Sequence, residues 1–265
     1  MSTTIQIISD IHLEQYKNLD ETPIINKYAD MLVICGNLGN PFTKIYWDFI
    51  TIQSKTFDKV FIVLGNRDYY SRRYSIDQII QHIRNLCNKY NNVIFLEKNV
   101  YDLNDRVSII GCTLWSYIDE YSFDKVIDSK NILTTPKYTK FSNTNDINLN
   151  PNYINKNIFN QYHSIDVDFL SSKIKELQEL NKKVIVITHF IPSYLLTFRH
   201  NNYEPIDTAY CCNLDYLINE PIITWVFGHI ENNTDMLINN IRCVSNVYGF
   251  DTQKTGYKEK VVIEF

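Results

Sequence analysis

The sequence is poor in glycine and lacks both long apolar runs and paired cysteines. Only 7 of its 265 residues are Gly, and its six Cys form no C-x-x-C pair. Without an apolar run of bilayer length, a membrane protein is excluded, and the cysteine spacing is wrong for a zinc site. The thiols are therefore predicted to be reduced and mostly buried, in an intracellular protein.

Excess positive charge is also missing. Lys and Arg total 26 against 30 Asp and Glu, a formal net charge of −4. Such a chain is not a general nucleic-acid binder, because phosphate backbones are held by basic surfaces. Residues 1–4 carry no secretory signal, so we expect a cytoplasmic protein. The bias toward Ile, Asn, Lys and Tyr is typical of an AT-rich genome, such as that of a large DNA virus; the site of action is then the host cytoplasm.

Five apolar runs of strand length alternate with amphipathic helical segments. The runs are residues 5–8, 31–35, 60–64, 184–187 and 222–227. Apolar residues at helical spacing predict helices at 42–55, 76–87 and 169–180. This alternation predicts an α/β protein with a largely parallel sheet. Further strands predicted at 107–111, 237–244 and 261–265 extend that sheet or form a second one.

Residues 119–160 differ from the rest of the chain. They have little apolar periodicity and are rich in Asn and Ser, so we predict a loop-rich insertion with one short helix near Val126. No segment has the composition of a linker between domains. The chain is therefore predicted to form a single domain over residues 1–265.

Polar side chains follow each of the five runs, where the carboxyl ends of parallel strands gather ligand groups. They are Asp10, His12, Asn37, Asn66, His189, His229 and Glu231. Taken singly, each ending is typical of a turn or a cap. Five such endings in succession favour a shared site, and oxygen and imidazole donors are ligands for divalent metals.

The order of these endings resembles that of the calcineurin-like metallophosphoesterase family, whose pattern is D-x-H, G-D, G-N-H-[DE], H and G-H-x-H. The corresponding residues are Asp10-Ile11-His12, Gly36-Asn37, Gly65-Asn66-Arg67-Asp68, His189 and Gly228-His229-Ile230-Glu231. The resemblance implies a four-layer αββα sandwich, with two mixed β-sheets flanked by helices. It also implies hydrolysis of a phosphate mono- or diester by a metal-activated water.

Two metal positions follow from the resemblance. The first comprises Asp10, His12, Asn37 and Glu231, and the second comprises Asn37, Asn66, His189 and His229. Residue 37 bridges the two ions in this arrangement, and residues 66 and 67 contact the phosphate.

Three positions depart from the family pattern. Asn37 replaces the bridging Asp, Arg67 replaces the catalytic His, and Glu231 replaces a His ligand. The first position keeps two carboxylates and should hold one Mn, Fe, Zn or Mg ion, whereas the second has only neutral ligands and should be weak or absent. Arg67 cannot act as a general acid but can bind phosphate. Asp68 is interpreted either as a salt-bridge partner that orients Arg67 or as a turn residue.

Two hypotheses about function remain open. In the first, the protein is a metal-dependent phosphoesterase with impaired activity, acting on a phosphorylated small molecule, a nucleotide or a phosphoprotein. In the second, it is a pseudoenzyme that binds a phosphorylated ligand or serves as a protein-interaction scaffold. We favour the first, because five residues of the family pattern persist: Asp10, His12, Asn66, His189 and His229.

Overall fold

The computed structural model describes residues 3–135, 152–197 and 204–265. The strands in these ranges are β1 (Thr4–Ile8), β2 (Met31–Cys35), β3 (Lys59–Val63), β4 (Val93–Phe95), β5 (Asn99–Asp102), β6 (Val107–Cys112), β7 (Lys183–Thr188), β8 (Ile222–Phe227), β9 (Asp235–Ile238), β10 (Ile241–Ser245) and β11 (Val262–Glu264). The helices are α1 (Lys44–Thr56), α2 (Ile76–Cys87), α3 (Glu120–Phe123), α4 (Asp128–Asn131), α5 (Lys156–Glu179) and α6 (Thr252–Thr255).

The strands form two mixed sheets. The first has the order β11-β1-β2-β3-β4, and the second has the order β5-β6-β7-β8-β10-β9. In each sheet the central strands are parallel. Antiparallel strands lie at the edges: β11 in the first sheet, and β5 and β9 in the second. The additional strands were predicted to extend the sheet or to form a second one, and the structure shows both. β11 extends the first sheet, and β6, β9 and β10 lie in the second.

Both faces of each sheet are buried, which explains why the strands are continuously apolar. On β2, Val33 points toward the other sheet, whereas Leu32 and Ile34 point toward the outer helices. On β7, Ile185 faces the first sheet and Val186 faces outward. The result is one core between the sheets and one beneath each helical layer. The predicted αββα sandwich is confirmed.

The helices and strands follow the apolar patterns with two differences, one in a helix and one in a strand. Helix α2 begins at Ile76, after the cap residue Ser75, whose side chain forms a capping box with Gln78. Helix α5 begins at Lys156, after the cap residue Asn155, and not near Phe169 as predicted. Its first half has apolar residues at Ile158, Phe159 and Tyr162, but its buried face also includes the polar Asp166. The strand predicted at 237–244 is a hairpin instead, since Asn239 and Asn240 adopt positive φ and reverse the chain.

The loop-rich segment predicted at 119–160 is partly described. Helices α3 and α4 lie on either side of Val126, where one helix was predicted, and α5 already begins inside the segment. Residues 136–151 lie outside the described residues. In the part of the chain that the structure describes, no helix combines the length and apolarity needed to cross a bilayer. All six Cys are buried and free, as predicted.

Candidate active site

The site lies where the carboxyl ends of five parallel strands meet. Asp10 follows β1, Asn37 follows β2 and Asn66 follows β3, all from the first sheet. His189 follows β7 and His229 follows β8, both from the second sheet. The two sheets therefore contribute to one cluster.

Four residues of the cluster hold a backbone conformation that side chains disfavour. The φ angles of Asp10, His12, Asn37 and His229 are 55°, 56°, 52° and 60°. Left-handed geometry outside glycine costs about 1–3 kcal/mol per residue and persists where the surroundings enforce it. Here the loops enforce it by pairing with each other: the Asp10 N–H donates to Gly36 at 3.0 Å and the His12 N–H donates to Asn37 at 3.0 Å. Such concentrated strain is typical of a functional site.

Two glycines allow these loops to approach each other. A Cβ atom on Gly228 would lie 2.1 Å from Ser9 Oγ, and one on Gly65 would lie 2.3 Å from Asn37 Oδ1. Real Cβ contacts do not come this close, so neither position has room for a side chain. This explains why a glycine-poor sequence places glycine at these strand ends.

Asp10 is the anionic centre of the cluster. Its Oδ1 accepts a hydrogen bond from Asn37 Nδ2 at 2.9 Å, and its Oδ2 accepts from the His229 N–H at 3.0 Å and from the Ser9 hydroxyl. Burial raises the pKa of Asp10, but the neighbouring imidazoles, His189 first, outweigh burial and leave the pKa below its usual value. The carboxylate is therefore ionised at neutral pH.

His189 and His229 form a buried neutral pair. His189 Nδ1 lies 2.7 Å from the Cys35 carbonyl oxygen, so Nδ1 carries the proton and Nε2 has a free lone pair. That Nε2 lies 3.0 Å from His229 Nδ1. Burial lowers the pKa of both rings, that of His229 to about 3. Ligand atoms of this pair and of Asp10 lie within 4.8 Å of one another, an arrangement that can hold a metal ion.

Two buried polar atoms of the site have no hydrogen-bond partner among the described residues. They are His229 Nε2 and Asn66 Oδ1. Buried polar atoms are normally paired in folded proteins, so both atoms are open to an incoming ligand. The carboxylate of Asp10 and the imidazoles of His189 and His229 suit a divalent transition metal.

Asn37 does not act as an open ligand in this structure. Its Oδ1 accepts a hydrogen bond from the Arg67 N–H at 2.9 Å, while its Nδ2 donates to Asp10. Because one partner can only donate and the other can only accept, the orientation of the amide is fixed. Both polar groups of Asn37 therefore bond to the protein. Where the family pattern has a bridging carboxylate, this chain presents an N–H donor to Asp10.

Arg67 presents its charge to the cleft. Its guanidinium lies 6.0 Å from the ring centre of Tyr70 and 5.5 Å from that of Phe250. No carboxylate of the described residues lies within ion-pair distance of it. Neither ring neutralises the charge, so Arg67 remains available to an anion.

Asp68 serves the loops and not Arg67. Its carboxylate accepts the N–H groups of Asn37, Gly39 and Gly65 at 2.8, 2.9 and 2.8 Å. Burial raises the pKa of Asp68 to about 7, although these three hydrogen bonds oppose the rise. Of the two interpretations of Asp68, the structure supports the turn residue: it ties the loop after β2 to the loop after β3.

His12 and Glu231 lie at the margin of the cluster. His12 Nε2 is 3.9 Å from Asp10 Oδ1, and its Nδ1 is 3.2 Å from Glu14 Oε1. Glu231 lines the cleft, and its residue is exposed. The compact group therefore takes Asp10 from the first predicted metal position and both histidines from the second.

Sequence reasoning missed Asp128 and Phe250. Asp128 lies in α4 and accepts a hydrogen bond from Asn66 Nδ2 at 2.9 Å. Phe250 stacks on His12 with ring centres 4.3 Å apart and an interplanar angle of 7°. Neither residue follows an apolar run, so no strand-end pattern could have indicated it.

A cleft of about 800 Å³ opens on the cluster. Asp10, His12, Asn37, Arg67 and His229 line its inner end. The rest of its lining mixes apolar and polar side chains. The apolar ones are Ile191, Ile206, Tyr210, Ile230 and Val247, and the charged ones include Asp207, Asp251 and Lys254. The volume is that of an ordinary small-ligand pocket.

A four-layer sandwich with acid, amide and imidazole side chains at its strand ends defines a phosphoesterase-type protein. The sequence model of calcineurin-like phosphoesterases matches residues 3–231. The chain belongs to the calcineurin-like phosphoesterase family, as the sequence motifs predicted.

Individual relatives agree with this assignment. An uncharacterised protein of Acanthamoeba polyphaga mimivirus is 27% identical over 279 residues, which cover 98% of this chain and 96% of the relative. The structure of phosphopantetheinyl hydrolase from Mycobacterium tuberculosis superposes with a TM-score of 0.63 at 15% identity, covering 94% of this chain and 90% of that one. A Thermus thermophilus protein gives a TM-score of 0.51 at 12% identity, with coverage of 94% and 90%. At these identities the two structures show a shared fold.

Proposed function

We propose that this protein binds a phosphate ester at the inner end of the cleft and hydrolyses it with low efficiency, with the help of one divalent cation. The observation that carries the proposal is the guanidinium of Arg67, which has no carboxylate partner among the described residues and faces the same cleft as Asp10 and His229. Guanidinium groups bind phosphate oxygens through paired, charge-assisted hydrogen bonds. The cleft admits a phosphorylated small molecule or nucleotide, or the phosphorylated side chain of a protein.

A cation would be held by Asp10, His189 and His229, of the Mn, Fe, Zn or Mg type. Once bound, it would supply Lewis acidity for the phosphoryl group. A second cation is not supported, because Asn37 is neutral and both its polar atoms bond to the protein. One tight cation thus remains the expectation, with its ligands drawn from both predicted positions.

The residues of the site explain why hydrolysis should be slow. A guanidinium group does not release its proton in proteins, so Arg67 cannot supply one to a leaving group. Asp68 is buried under three N–H donors and does not line the cleft. Loss of a general acid typically removes about 10²–10⁴-fold in rate. Esters with good leaving groups, which need no proton, should be hydrolysed best.

The binding part of the proposal is tested with Arg67→Met and inorganic phosphate. The variant keeps the length of the side chain and loses its charge, so phosphate affinity measured by calorimetry should fall about 10- to 100-fold. Arg106→Met is the matched control, since Arg106 is exposed and lies in the β5–β6 turn. Equal affinity of wild type and Arg67→Met would contradict the proposed role.

A second candidate function is binding without hydrolysis, favoured by the hydrogen bond from Asn37 to Asp10. It is distinguished by assaying an aryl phosphate monoester and diester with added Mn²⁺. Wild type is compared with the combined variant Asn37→Asp, Arg67→His, Glu231→His. Turnover by wild type supports the weak enzyme, and turnover by the combined variant alone supports the pseudoenzyme.

A further inference from the structure

Phe250 is an exposed aromatic ring at the inner end of the cleft. Its exposed fraction is 62%, although it lines the cleft beside Arg67. It also lies beyond residue 231, where the match to the family model ends. A large apolar side chain left open next to charged groups is a feature that ligand binding can use.

The backbone around Phe250 is tied to the strand end that carries Asp10. The N–H groups of Tyr248 and Gly249 donate to the carbonyls of Ser9 and Asp10 at 2.8 and 2.9 Å. Gly249 has a φ of +70°, a left-handed turn that directs the next residue back over the site. The position of Phe250 is therefore set by the same loop that sets Asp10.

One face of the ring is occupied. Phe250 lies parallel to His12, with ring centres 4.3 Å apart, and His12 is buried beneath it. Phe250 thus shields His12 from solvent, and this role explains the contact. Most of the ring of Phe250 nevertheless stays exposed. The guanidinium of Arg67 is 5.5 Å from the ring centre, so an anion bound by Arg67 lies next to the ring.

We propose that Phe250 selects phosphate esters that carry a planar aromatic group, which packs on its ring while Arg67 holds the phosphate. This inference rests on the proposed phosphate-binding function and specifies its ligand class. Both an aryl phosphate and a nucleoside monophosphate have this chemistry. Tyr210, 39% exposed, is a second aromatic wall of the same cleft, so the pocket has apolar surface for such a group beyond the first ring.

The test measures binding of four ligands that the site does not hydrolyse readily. Methylphosphonate and phenylphosphonate differ in the aromatic ring, adenosine 5′-monophosphorothioate adds a nucleobase, and inorganic phosphate reports the anion site alone. Calorimetry in the presence of Mn²⁺ compares wild type, Phe250→Leu, Phe250→Tyr and Tyr216→Leu. Tyr216 is 65% exposed and lies outside the cleft, so its variant is the matched control.

Wild type should bind one or both aromatic ligands about 3- to 10-fold more tightly than methylphosphonate. Phe250→Leu should remove this preference and leave phosphate affinity within about twofold, whereas Phe250→Tyr should retain it. Preference for phenylphosphonate or for the nucleotide identifies the source of the aromatic group.

The outcomes separate this inference from the proposed function. If wild type binds phosphate but binds the aromatic ligands and methylphosphonate equally, the proposed role of Phe250 is wrong, while the proposed phosphate-binding function stands. Equal weakening of all four ligands by Phe250→Leu shows that the ring only supports His12, which also overturns the proposed role of Phe250. Failure of wild type to bind any of the four refutes the proposed function and this inference together.

Discussion

The amide of Asn37 replaces a charge, and restoring that charge should make the protein depend on a cation for stability. Asn37 Nδ2 donates to Asp10 Oδ1 at 2.9 Å, and Asn37 is 2% exposed. In Asn37→Asp this donor becomes an acceptor that faces another acceptor. Without a cation, the two carboxylates repel each other in a buried site.

The size of the effect follows from the contact. Two like charges about 4 Å apart repel by about 4 kcal/mol at an effective dielectric constant of about 20, and the lost charge-assisted hydrogen bond contributed about 1.5–3 kcal/mol. Shared protonation relieves part of this, so we expect a loss of about 3 kcal/mol at pH 8. For a chain of this length that lowers the melting temperature by roughly 6–12 °C.

The pH dependence has a definite sign. Repulsion raises the pKa of the carboxyl pair in the folded state above its unfolded value of about 3.9. The destabilisation should therefore be absent below about pH 4 and grow as pH rises through the raised pKa. Addition of Mn²⁺ at 100 times its dissociation constant should restore about 2.7 kcal/mol.

These effects are measured by thermal unfolding with and without Mn²⁺ at pH 4.5 and pH 8. The first pH is about half a unit above the unfolded pKa, and the second is far above it. Asn246→Asp is the matched control: Asn246 is 1% exposed and its Nδ2 donates to the carbonyls of Ile7 and Lys258. It should lose stability that Mn²⁺ does not restore. If Asn37→Asp without a cation is as stable at pH 8 as wild type, the proposed role of the Asn37 amide is wrong.

Two further predictions concern buried charge. Asp68→Asn should cost about 1–3 kcal/mol, because an NH₂ group replaces one of the two carboxyl oxygens that accept the three N–H donors. Since the folded pKa of Asp68 is raised to about 7, the advantage of wild type in urea unfolding should be largest near pH 4 and shrink as pH rises through about 7. Lys98→Met should cost about 3–5 kcal/mol, because it leaves the buried carboxylates of Glu97 and Asp166 without their shared partner. Lys27→Met, which breaks an exposed pair, should change the melting temperature little; equal effects of the two lysine variants would contradict this.

The strand ends were predictable because burial and function impose separate patterns on the sequence. Continuous apolar runs identified strands buried on both faces, and the residue after each run had to lie at one edge of the sandwich. Asp10, Asn37, His189 and His229 were located in this way, and the structure brings them together.

The contacts between loops were not predictable. The role of Asp68 depends on three N–H groups from two loops, and backbone contacts leave no pattern in the sequence. Asp128 reaches the site from the short helix α4, and Phe250 reaches it from the loop after β10. The amide of Asn37 likewise joins separate loops, since it donates to Asp10 and accepts from the Arg67 N–H.

The site draws its side chains from both sheets, so its hydrogen bonds link the two sheets, the two halves of the molecule. Asp10 extends from the first sheet and receives the N–H of His229 from the second, and His189 bonds back to Cys35 on β2. A ligand that bridges these groups would have to dissociate before the halves could part. Its arrival should therefore slow amide exchange in β2 and β8 alike, far from any atom that it touches.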